Sequence, residues 1–265
     1  MTDLTLTGLY RYPVKSLGGT ALDRASVGRR GLRHDREWMV VDQAGRFITQ
    51  RQLPRMALIG TTFTDDGHLV LSAAGMPDHT VGQHSEGRCR VTVWHDEVDA
   101  DYVDPAADAW LTRFLAADCR LVHMPSATTR QVDLDYARAG DEVGFADGFP
   151  FLLISQASLD DLNRRLEHDL TIRRFRPNLV VSGCDPYAED NWRRLRVGDL
   201  VLRVAKPCSR CIIPTIDPLT GERSAEPLRT LMGYRRRDNK VYFGQNLVHE
   251  GPAELVRGMA VEVLE

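Results

Sequence analysis

Cysteine is scarce in this chain, with five residues among 265. So few cysteines, and an odd number of them, exclude a disulfide-rich secreted scaffold. Long apolar runs are also missing. The longest, such as residues 149–154, is far shorter than the roughly 20 residues that a membrane helix needs. We therefore expect a cytoplasmic protein that does not cross a membrane.

An excess of either charge is absent as well. The 34 basic and 37 acidic side chains leave a net charge of -3, which creates no global field that would hold the chain on nucleic acid. We therefore expect no nucleic-acid partner. The apolar share of 43% and the charged share of 27% are ordinary for a globular protein and exclude a disordered or coiled-coil chain.

Several common catalytic motifs are missing. The sequence contains no Gly-x-Gly-x-x-Gly loop, no Walker loop, no Gly-x-Ser-x-Gly elbow and no His-Glu-x-x-His helix. These absences argue against the common nucleotide-binding folds, the α/β-hydrolases and the zinc proteases. The plant-type iron–sulfur spacing Cys-x4-Cys-x2-Cys is also absent.

The first hundred residues show mainly strand-type patterns. We predict strands at Thr5–Tyr10, Glu37–Val41, Arg46–Thr49, Thr61–Thr64, His68–Leu71 and Val91–Trp94. The stretch 65–67, Asp-Asp-Gly, predicts a hairpin turn. Many short strands at close spacing favour a barrel or a sandwich.

Helices and further strands follow. Asp104 as N-cap with Pro105 at the first helical position predicts one helix, and Ser158 is expected to open a second. The later strands are predicted at Leu179–Ser182, Leu200–Ala205, Val241–Phe243 and Met259–Leu264. Strands, then helices, then strands indicate an α+β fold that is mainly β. We place a domain boundary between residues 1–124 and 125–265.

Cys208 and Cys211 form a single Cys-x-x-Cys pair. Two cysteines are too few for a structural zinc site, which needs about four ligands. Pro214 argues against the helix that a thioredoxin-type pair requires. The sequence predicts a loop after a strand that ends near Ala205, with Arg210 favouring a thiolate that suits molybdenum, copper or zinc. That both cysteines are ordinary buried residues stays open on this evidence.

The remaining cysteines carry less information. Cys89 and Cys119 are expected in the core because cysteine is among the most frequently buried residues. Cys184 follows a predicted strand at a turn, where it could line a pocket or be buried.

Basic and polar side chains lie near the ends of several predicted strands. Each alone would be a solvated charge or a structural ion pair. Together, arginine forks, a lysine, a hydroxyl and an amide suit an anionic ligand rich in hydrogen bonds, such as a phosphorylated cofactor. The residues concerned are Lys15, Ser16, Arg36, Arg176 and Asn178.

With these residues in view, the chain resembles the MOSC proteins, a family linked to the molybdenum cofactor, and most closely their amidoxime-reducing branch. Nine segments carry the resemblance in the family's order and span nearly the whole chain. They are residues 12–16, 35–36, 49–52, 145–148, 155–159, 175–178, 183–190, 208–211 with 217–218, and 243–245.

The resemblance implies an N-terminal β-barrel-like domain packed on a β-rich MOSC domain with a few helices. It implies the molybdenum cofactor, with Cys211 rather than Cys208 as the thiolate ligand of the metal. Asp185 is a weaker candidate near the metal, which we count with Cys211 as catalytic. The residues that match cofactor-holding positions are Lys15, Ser16, Arg36, Arg176, Asn178, Ser209 and Arg210.

The resemblance also implies a function. It predicts a reductase of N-hydroxylated compounds, such as amidoximes, hydroxylamines and N-hydroxylated bases, which takes electrons from a separate ferredoxin-like or cytochrome-type protein and its reductase. Asn246 departs from the eukaryotic pattern, which has a tyrosine there, and puts the local cofactor contact in question. Two alternatives stay open. One is sulfur transfer through a cysteine persulfide, and the other is a module that binds the cofactor without turnover.

Overall fold

The computed structural model describes residues 3–82 and 87–265. Its strands, numbered in chain order, are β1 (Thr5–Arg11), β2 (Thr20–Ala21), β3 (Arg24–Gly28), β4 (Gly31–Leu32), β5 (Trp38–Val41), β6 (Gly60–Phe63), β7 (Leu69–Ser72), β8 (His79–Thr80), β9 (Gly87–Val93), β10 (Asp96–Tyr102), β11 (Arg120–His123), β12 (Phe151–Ser155), β13 (Leu179–Ser182), β14 (Arg194–Val197), β15 (Leu200–Ser209), β16 (Arg236–Arg237), β17 (Lys240–Glu250), β18 (Ala253–Val256) and β19 (Val261–Val263).

Helices are few and short. The α-helices are α1 (Pro105–Leu115), α2 (Gln156–Asn163) and α3 (Leu228–Met232), and 3-10 helices cover Pro54–Leu58, Ile172–Phe175, Ala188–Asn191 and Ile213–Thr215. The prediction of an α+β fold that is mainly β is confirmed. In the described part of the chain, no helix is long and apolar enough to cross a membrane.

The strands form one large sheet and three small ones. The large sheet has the order β19-β14-β15-β17-β12-β13-β1-β2, with β16 paired to β17. A four-stranded sheet has the order β5-β11-β10-β9, and two three-stranded sheets have the orders β18-β3-β4 and β6-β7-β8. The sheets β5-β11-β10-β9 and β6-β7-β8 belong to the N-terminal half.

The first strand crosses between the two halves. β1 pairs antiparallel with β13, so that Leu6 lies opposite Val181 and Leu9 opposite Leu179. β3 likewise pairs with β18 near the C-terminal end. The order of these strands in the sheets therefore does not follow their order along the chain. The domain boundary after residue 124 stays a prediction.

Two large apolar clusters support these sheets. One gathers the buried face of α1, including Trp110 and Leu111, and contains Cys119, as expected. The other is formed by large-sheet residues such as Leu153, Leu202 and Leu247.

The predicted start of α1 is confirmed, and the predicted opening residue of α2 is three residues beyond the observed cap. Asp104 caps α1 by accepting a hydrogen bond from the Ala106 amide at 2.9 Å, with Pro105 as the first helical residue. α2 begins at Gln156 because Ser155 Oγ, not Ser158, is the cap and accepts from the Ser158 amide at 3.1 Å.

The strand predicted at residues 46–49 is also wrong. Only isolated bridges form there, Val41 with Phe47 and Arg46 with Thr92. The Asp42 carboxylate accepts hydrogen bonds from the amides of Ala44 and Arg46, so it holds this segment in a turn rather than a ladder.

The Cys-x-x-Cys segment requires a further correction. β15 does not end near Ala205 but continues to Ser209, so Cys208 lies in a strand and only Cys211 follows it. The pairing with β17 shifts register between Val204 and Lys206, and again between Pro207 and Ser209. These irregularities accommodate Pro207, which has no amide hydrogen to donate to a ladder.

Candidate cofactor site

One pocket gathers residues from distant parts of the sequence. Lys15 and Ser16 follow β1, Arg36 precedes β5, and the other members lie beside β13 or at the end of β15. All eight residues predicted to hold a cofactor line this pocket, namely Lys15, Ser16, Arg36, Arg176, Asn178, Ser209, Arg210 and Cys211. Their individual roles stay predictions.

Two arginines of the pocket lie on either side of one tyrosine ring. The guanidinium carbons of Arg36 and Arg176 are each 4.3 Å from the centre of the buried Tyr12 ring. Burial, together with the positive charge of Arg36, lowers the pKa of Arg176 to about 10. Arg36 is paired with the buried Asp35 carboxylate at 2.6 Å, whereas Arg176 donates to the Leu17 carbonyl, so the positive charge available to an anion here comes mainly from Arg176.

Lys15 is almost completely buried at the base of the pocket. Its ammonium donates to the Phe145 carbonyl at 2.8 Å and pairs with the Asp147 carboxylate. Burial lowers the pKa of Lys15 to about 8, although the Asp147 charge opposes the shift. The Lys15 ammonium therefore gives up its proton more readily than an ordinary lysine does.

Asp147 is the carboxylate that lines the pocket. Besides the bond from Lys15, it accepts from the Trp94 indole at 3.2 Å and from Arg51 at 3.4 Å. Desolvation alone would raise the pKa of Asp147, but the charges of Lys15 and Arg51 outweigh it and hold the pKa well below its usual range. The carboxylate thus stays ionised while 55% of its side chain remains exposed.

Cys211 is partly exposed and its sulfur accepts two hydrogen bonds. The Ile213 amide and the Arg51 guanidinium both donate to Cys211 Sγ at 3.5 Å. The Cys211 sulfur is therefore approached by two hydrogen-bond donors. Arg51, rather than the neighbouring Arg210 that the sequence indicated, supplies the positive charge at this sulfur.

Cys208 has a different environment. Its Sγ lies 3.9 Å from the Ser209 carbonyl, which a thiol approaches as a donor. Burial raises the pKa of the Cys208 thiol, with Arg210 acting in the opposite direction. The two cysteines therefore have different environments, and the choice of Cys211 as the metal ligand stays a prediction.

Arg210 provides a test of whether the pocket fits a ligand. Its Nε donates to the Phe243 carbonyl at 2.8 Å and its Nη1 to the Phe175 carbonyl at 3.1 Å, but its buried Nη2 has no partner. Gly244 leaves space beside this Nη2, because a Cβ there would lie 3.4 Å from it. A buried guanidinium nitrogen without an acceptor indicates a missing anionic or carbonyl-bearing ligand.

Asn178 and Asp185 differ in their positions relative to the pocket, which Asn178 lines and Asp185 does not. The Asn178 side chain joins two strands, because it donates to the Tyr10 carbonyl and accepts from the Leu152 amide, both at 3.2 Å. Asp185 is exposed beyond the far end of β13 from Asn178 and is not among the pocket residues. The structure therefore does not bring Asp185 to the site.

Sequence reasoning missed Arg51 and Asp147. Both lie in segments that carry the family resemblance, residues 49–52 and 145–148, but neither has a local pattern that marks it. Arg51 meets Asp147 and Cys211 only through folding, since 96 and 160 residues separate the partners. The signal in the sequence that could have pointed to them is that both lie in segments that match the family.

Comparison with known proteins identifies the family. Residues 3–118 match the model described as the MOSC N-terminal beta barrel domain, and residues 140–262 match the MOSC domain. The mitochondrial amidoxime-reducing component 1 of Homo sapiens is 41% identical over 98% of this chain and 83% of its own length. The chain belongs to the MOSC family.

Within the MOSC family, the relatives point to the amidoxime-reducing branch. The mitochondrial amidoxime reducing component 2 of Bos taurus is 37% identical over 87% of this chain and 72% of its own length. A molybdenum cofactor sulfurase of Arabidopsis thaliana is 34% identical over 90% of this chain, but the match covers only 32% of that protein. The resemblance stated from the sequence is confirmed.

Proposed function

We propose that this MOSC protein is a molybdenum-cofactor-dependent reductase of N-hydroxylated compounds. The observation that carries the proposal is the position of Cys211 in one pocket with Lys15, Arg36, Arg176 and Arg210. A soft thiolate suits molybdenum, and the arginines suit the phosphate of a pterin cofactor. The names of the amidoxime-reducing relatives support the reaction class.

The pocket residues fit the cofactor by their chemistry. Cys211 would hold the metal, the unpartnered Nη2 of Arg210 would donate to the pterin, and Arg36 with Arg176 would balance the phosphate charge. When bound, the cofactor supplies two electrons, which with two protons convert an N–OH group to N–H and release water.

The protein's own groups orient the substrate and supply protons. The exposed Asp147 carboxylate accepts a hydrogen bond from the N–OH group of the substrate. Lys15, paired to Asp147 and with a pKa of about 8, donates a proton towards the oxygen that leaves as water. Arg51 fixes Asp147 relative to Cys211 by contacting both.

Electrons come from a separate protein in this proposal. A ferredoxin-like or cytochrome-type donor with its own reductase fits a weak, small encounter, which is typical of electron transfer. Location in the cytoplasm stays a prediction from the sequence, and the mitochondrial names of the animal relatives do not confirm it.

The test combines cofactor content with activity. Protein from a host that makes the cofactor should contain about one molybdenum and one pterin per chain, and should reduce benzamidoxime with reduced viologen dye. Cys211→Ala should lose activity while keeping its fold, because Cys211 is partly exposed. Cys208→Ala is the matched control and should lose activity only in part.

Three results would contradict the proposal. Stoichiometric zinc without pterin would exclude a molybdenum enzyme. Equal and complete loss in both cysteine variants, with cofactor still bound and a persulfide detected by mass spectrometry, would favour sulfur transfer. Bound cofactor without turnover by any dye or protein donor would favour a module that only carries the cofactor.

A further inference from the structure

Trp94 occupies an unfavourable position at the tip of the hairpin between β9 and β10. Val93 pairs with Asp96, so only Trp94 and His95 form the turn. The φ of Trp94 is 58°, and the residue is 41% exposed. A positive φ at the first position of a two-residue turn favours glycine, asparagine or aspartate, because a bulky side chain is strained there. The contacts of the Trp94 side chain therefore have to offset this strain.

The Trp94 indole contacts two residues of the candidate site. Its Nε1 donates to Asp147 Oδ1 at 3.2 Å, and the Arg51 guanidinium carbon lies 4.7 Å from its ring centre. Arg51 in turn donates to Cys211 Sγ at 3.5 Å. Phe47, which packs against a buried apolar cluster, supports the indole with 5.1 Å between ring centres. These contacts hold a partly exposed aromatic ring directly beside Asp147 and Arg51.

The two oxygens of the Asp147 carboxylate are unequally occupied. Lys15 pairs with Oδ1, and the Trp94 indole donates to the same oxygen. Among residues 3–82 and 87–265, only Arg51 contacts Oδ2, at the long distance of 3.4 Å. A carboxylate oxygen can accept more than one hydrogen bond. Oδ2 is therefore the oxygen left to accept from the hydroxyl of a substrate.

A substrate whose N–OH group binds to Asp147 Oδ2 places its organic group near the indole. In an amidoxime, only the nitrogen and carbon of the amidoxime group separate the hydroxyl from the ring or chain that it carries. The indole is bonded to the same carboxylate and keeps part of its surface exposed. Aromatic rings pair in offset-stacked or edge-to-face arrangements and gain free energy beyond that of the buried area. A flat aromatic group therefore fits this surface better than a saturated group of equal size.

We propose that Trp94 is a specificity-determining residue, which selects among N-hydroxylated compounds by packing against a flat aromatic group on the substrate. The inference rests on the proposed reductase function and adds the residue that recognises the organic part of the substrate. The N–OH group donates to Asp147 Oδ2, and the aromatic group lies against the exposed part of the indole.

A ratio of specificity constants tests the role of Trp94. Benzamidoxime and acetamidoxime share the reacting group and differ in a phenyl against a methyl group, and cyclohexanecarboxamidoxime is bulky without being flat. All are assayed with cofactor-loaded protein and reduced viologen dye. Trp94→Leu should lower kcat/KM for benzamidoxime relative to acetamidoxime about three- to tenfold, mainly through KM, because an aromatic contact is lost. The value for cyclohexanecarboxamidoxime should fall less than that for benzamidoxime.

Matched variants separate the aromatic ring from its other contacts. Trp94→Phe keeps a ring and removes the indole N–H, so it should retain the ratio, and any effect on Asp147 reaches all substrates alike. Trp94→Gly relieves the left-handed strain and should lose the ratio as Trp94→Leu does. Trp192→Leu removes an indole that packs against the large sheet and does not line the pocket, and it should leave the ratio unchanged. The ratio cancels differences in cofactor content between variants.

Binding without turnover distinguishes this inference from the reductase function itself. In the absence of an electron donor, isothermal titration of cofactor-loaded protein with benzamidoxime should give about three- to tenfold weaker binding for Trp94→Leu than for Trp94→Phe. This difference without turnover by any donor would contradict the reductase function and support the role of Trp94. Turnover with an unchanged ratio in Trp94→Leu and Trp94→Gly would leave the reductase function standing and overturn the role of Trp94.

Three further results would overturn the role of Trp94. Equal losses for all the substrates in Trp94→Leu would show that Trp94 only holds Asp147 and Arg51 in place. Equal losses for benzamidoxime and cyclohexanecarboxamidoxime would show that apolar size decides, rather than flatness. A ratio that falls as far in Trp94→Phe as in Trp94→Leu would assign the selection to the indole N–H instead of the ring.

Discussion

Several residues around the cofactor site have a left-handed backbone, which is uncommon for side chains other than glycine. Ser16, Arg36, Trp94 and Arg176 have φ values of 67°, 50°, 58° and 57°. Such conformations cost about 1–3 kcal/mol each and persist where surrounding bonds enforce them. The Arg36 amide, for example, donates to the Tyr12 carbonyl at 2.8 Å. The fold thus accepts local strain at Ser16, Arg36 and Arg176, which line the cofactor pocket, and at Trp94, which contacts the pocket residue Asp147.

Replacement of Arg176 should lower cofactor occupancy. Arg176→Ala removes a charged donor at a cost of about 1.5–3 kcal/mol, which is roughly a ten- to hundredfold weaker affinity. Arg176→Lys should also be poor, because an ammonium lacks the planar fork. Molybdenum and pterin content of the purified variants measures the effect, with Arg113→Ala as the exposed control. Full occupancy in both Arg176 variants would assign Arg176 a structural role.

Lys15 should give the free energy of unfolding a distinct pH dependence. Burial lowers its pKa from 10.5 to about 8, so between these values the unfolded chain binds more protons than the folded one. The free energy of unfolding therefore rises with pH across that window, by up to about 3 kcal/mol relative to Lys15→Met. Urea denaturation of cofactor-free protein at pH 7.5, 9 and 10.5 checks this. A constant difference between the two proteins would contradict it.

For individual residues, the sequence shows which side chains have suitable chemistry, but not which of them come into contact from remote parts of the chain. The arginines, Lys15 and Cys211 could be singled out because their chemistry and their segments stand out. Arg51 could not, because its contacts with Asp147 and Cys211 join three remote segments. Asp185 was singled out for its sequence context, yet it is exposed beyond the end of β13 and does not line the pocket.

Elements with strong local signals were predictable, and those set by tertiary pairing were not. The Asp104-Pro105 start of α1 follows from capping alone. The extension of β15 to Ser209 depends on its pairing with β17. Residues on both sides of Pro207 pair with β17, so the strand continues past the proline. A proline that suggests a loop locally is thus accommodated by irregular pairing.

The cap of α1 should carry a measurable share of stability. One Asp104 oxygen accepts from the Ala106 amide at 2.9 Å, and the other contacts the Gly82 amide at 3.0 Å and His79 at 2.9 Å. Asp104→Ala should lower the free energy of unfolding by about 2–3 kcal/mol, measured by urea denaturation. The exposed Asp118→Ala should change it by less than about 0.5 kcal/mol. Equal effects would show that the cap contributes little.

The whole molecule is held together by N-terminal strands that pair with the C-terminal half. β1 lies between β13 and β2 in the large sheet, and β3 pairs with β18. The sequence could not predict these partners, because about 170 residues separate β1 from β13 and strand patterns do not specify partners. The two family matches describe sequence segments, whereas the hydrogen bonds tie the two halves together.

This interleaving predicts the behaviour of fragments. A chain of residues 125–265 would lack β1 and leave an edge of β13 unpaired, with Val181 and Leu179 no longer covered by Leu6 and Leu9. An exposed apolar edge strand favours aggregation. The fragment would also lack three residues that line the pocket, Lys15, Ser16 and Arg36. We expect it to be aggregated or poorly folded and free of molybdenum, by size-exclusion chromatography and metal analysis.

A matched fragment separates the two causes. Joining residues 3–22 through a flexible linker to the fragment restores β1, β2, Lys15 and Ser16, but not Arg36. Because β1 would then cover β13, we expect this chimera to be monomeric, with a cooperative unfolding transition. It should still bind cofactor poorly, since Arg36 and its stack on Tyr12 are missing. A monomeric, cooperatively folded fragment 125–265 without β1 would show that the C-terminal half is independent and that the pairing of β1 adds only the pocket residues.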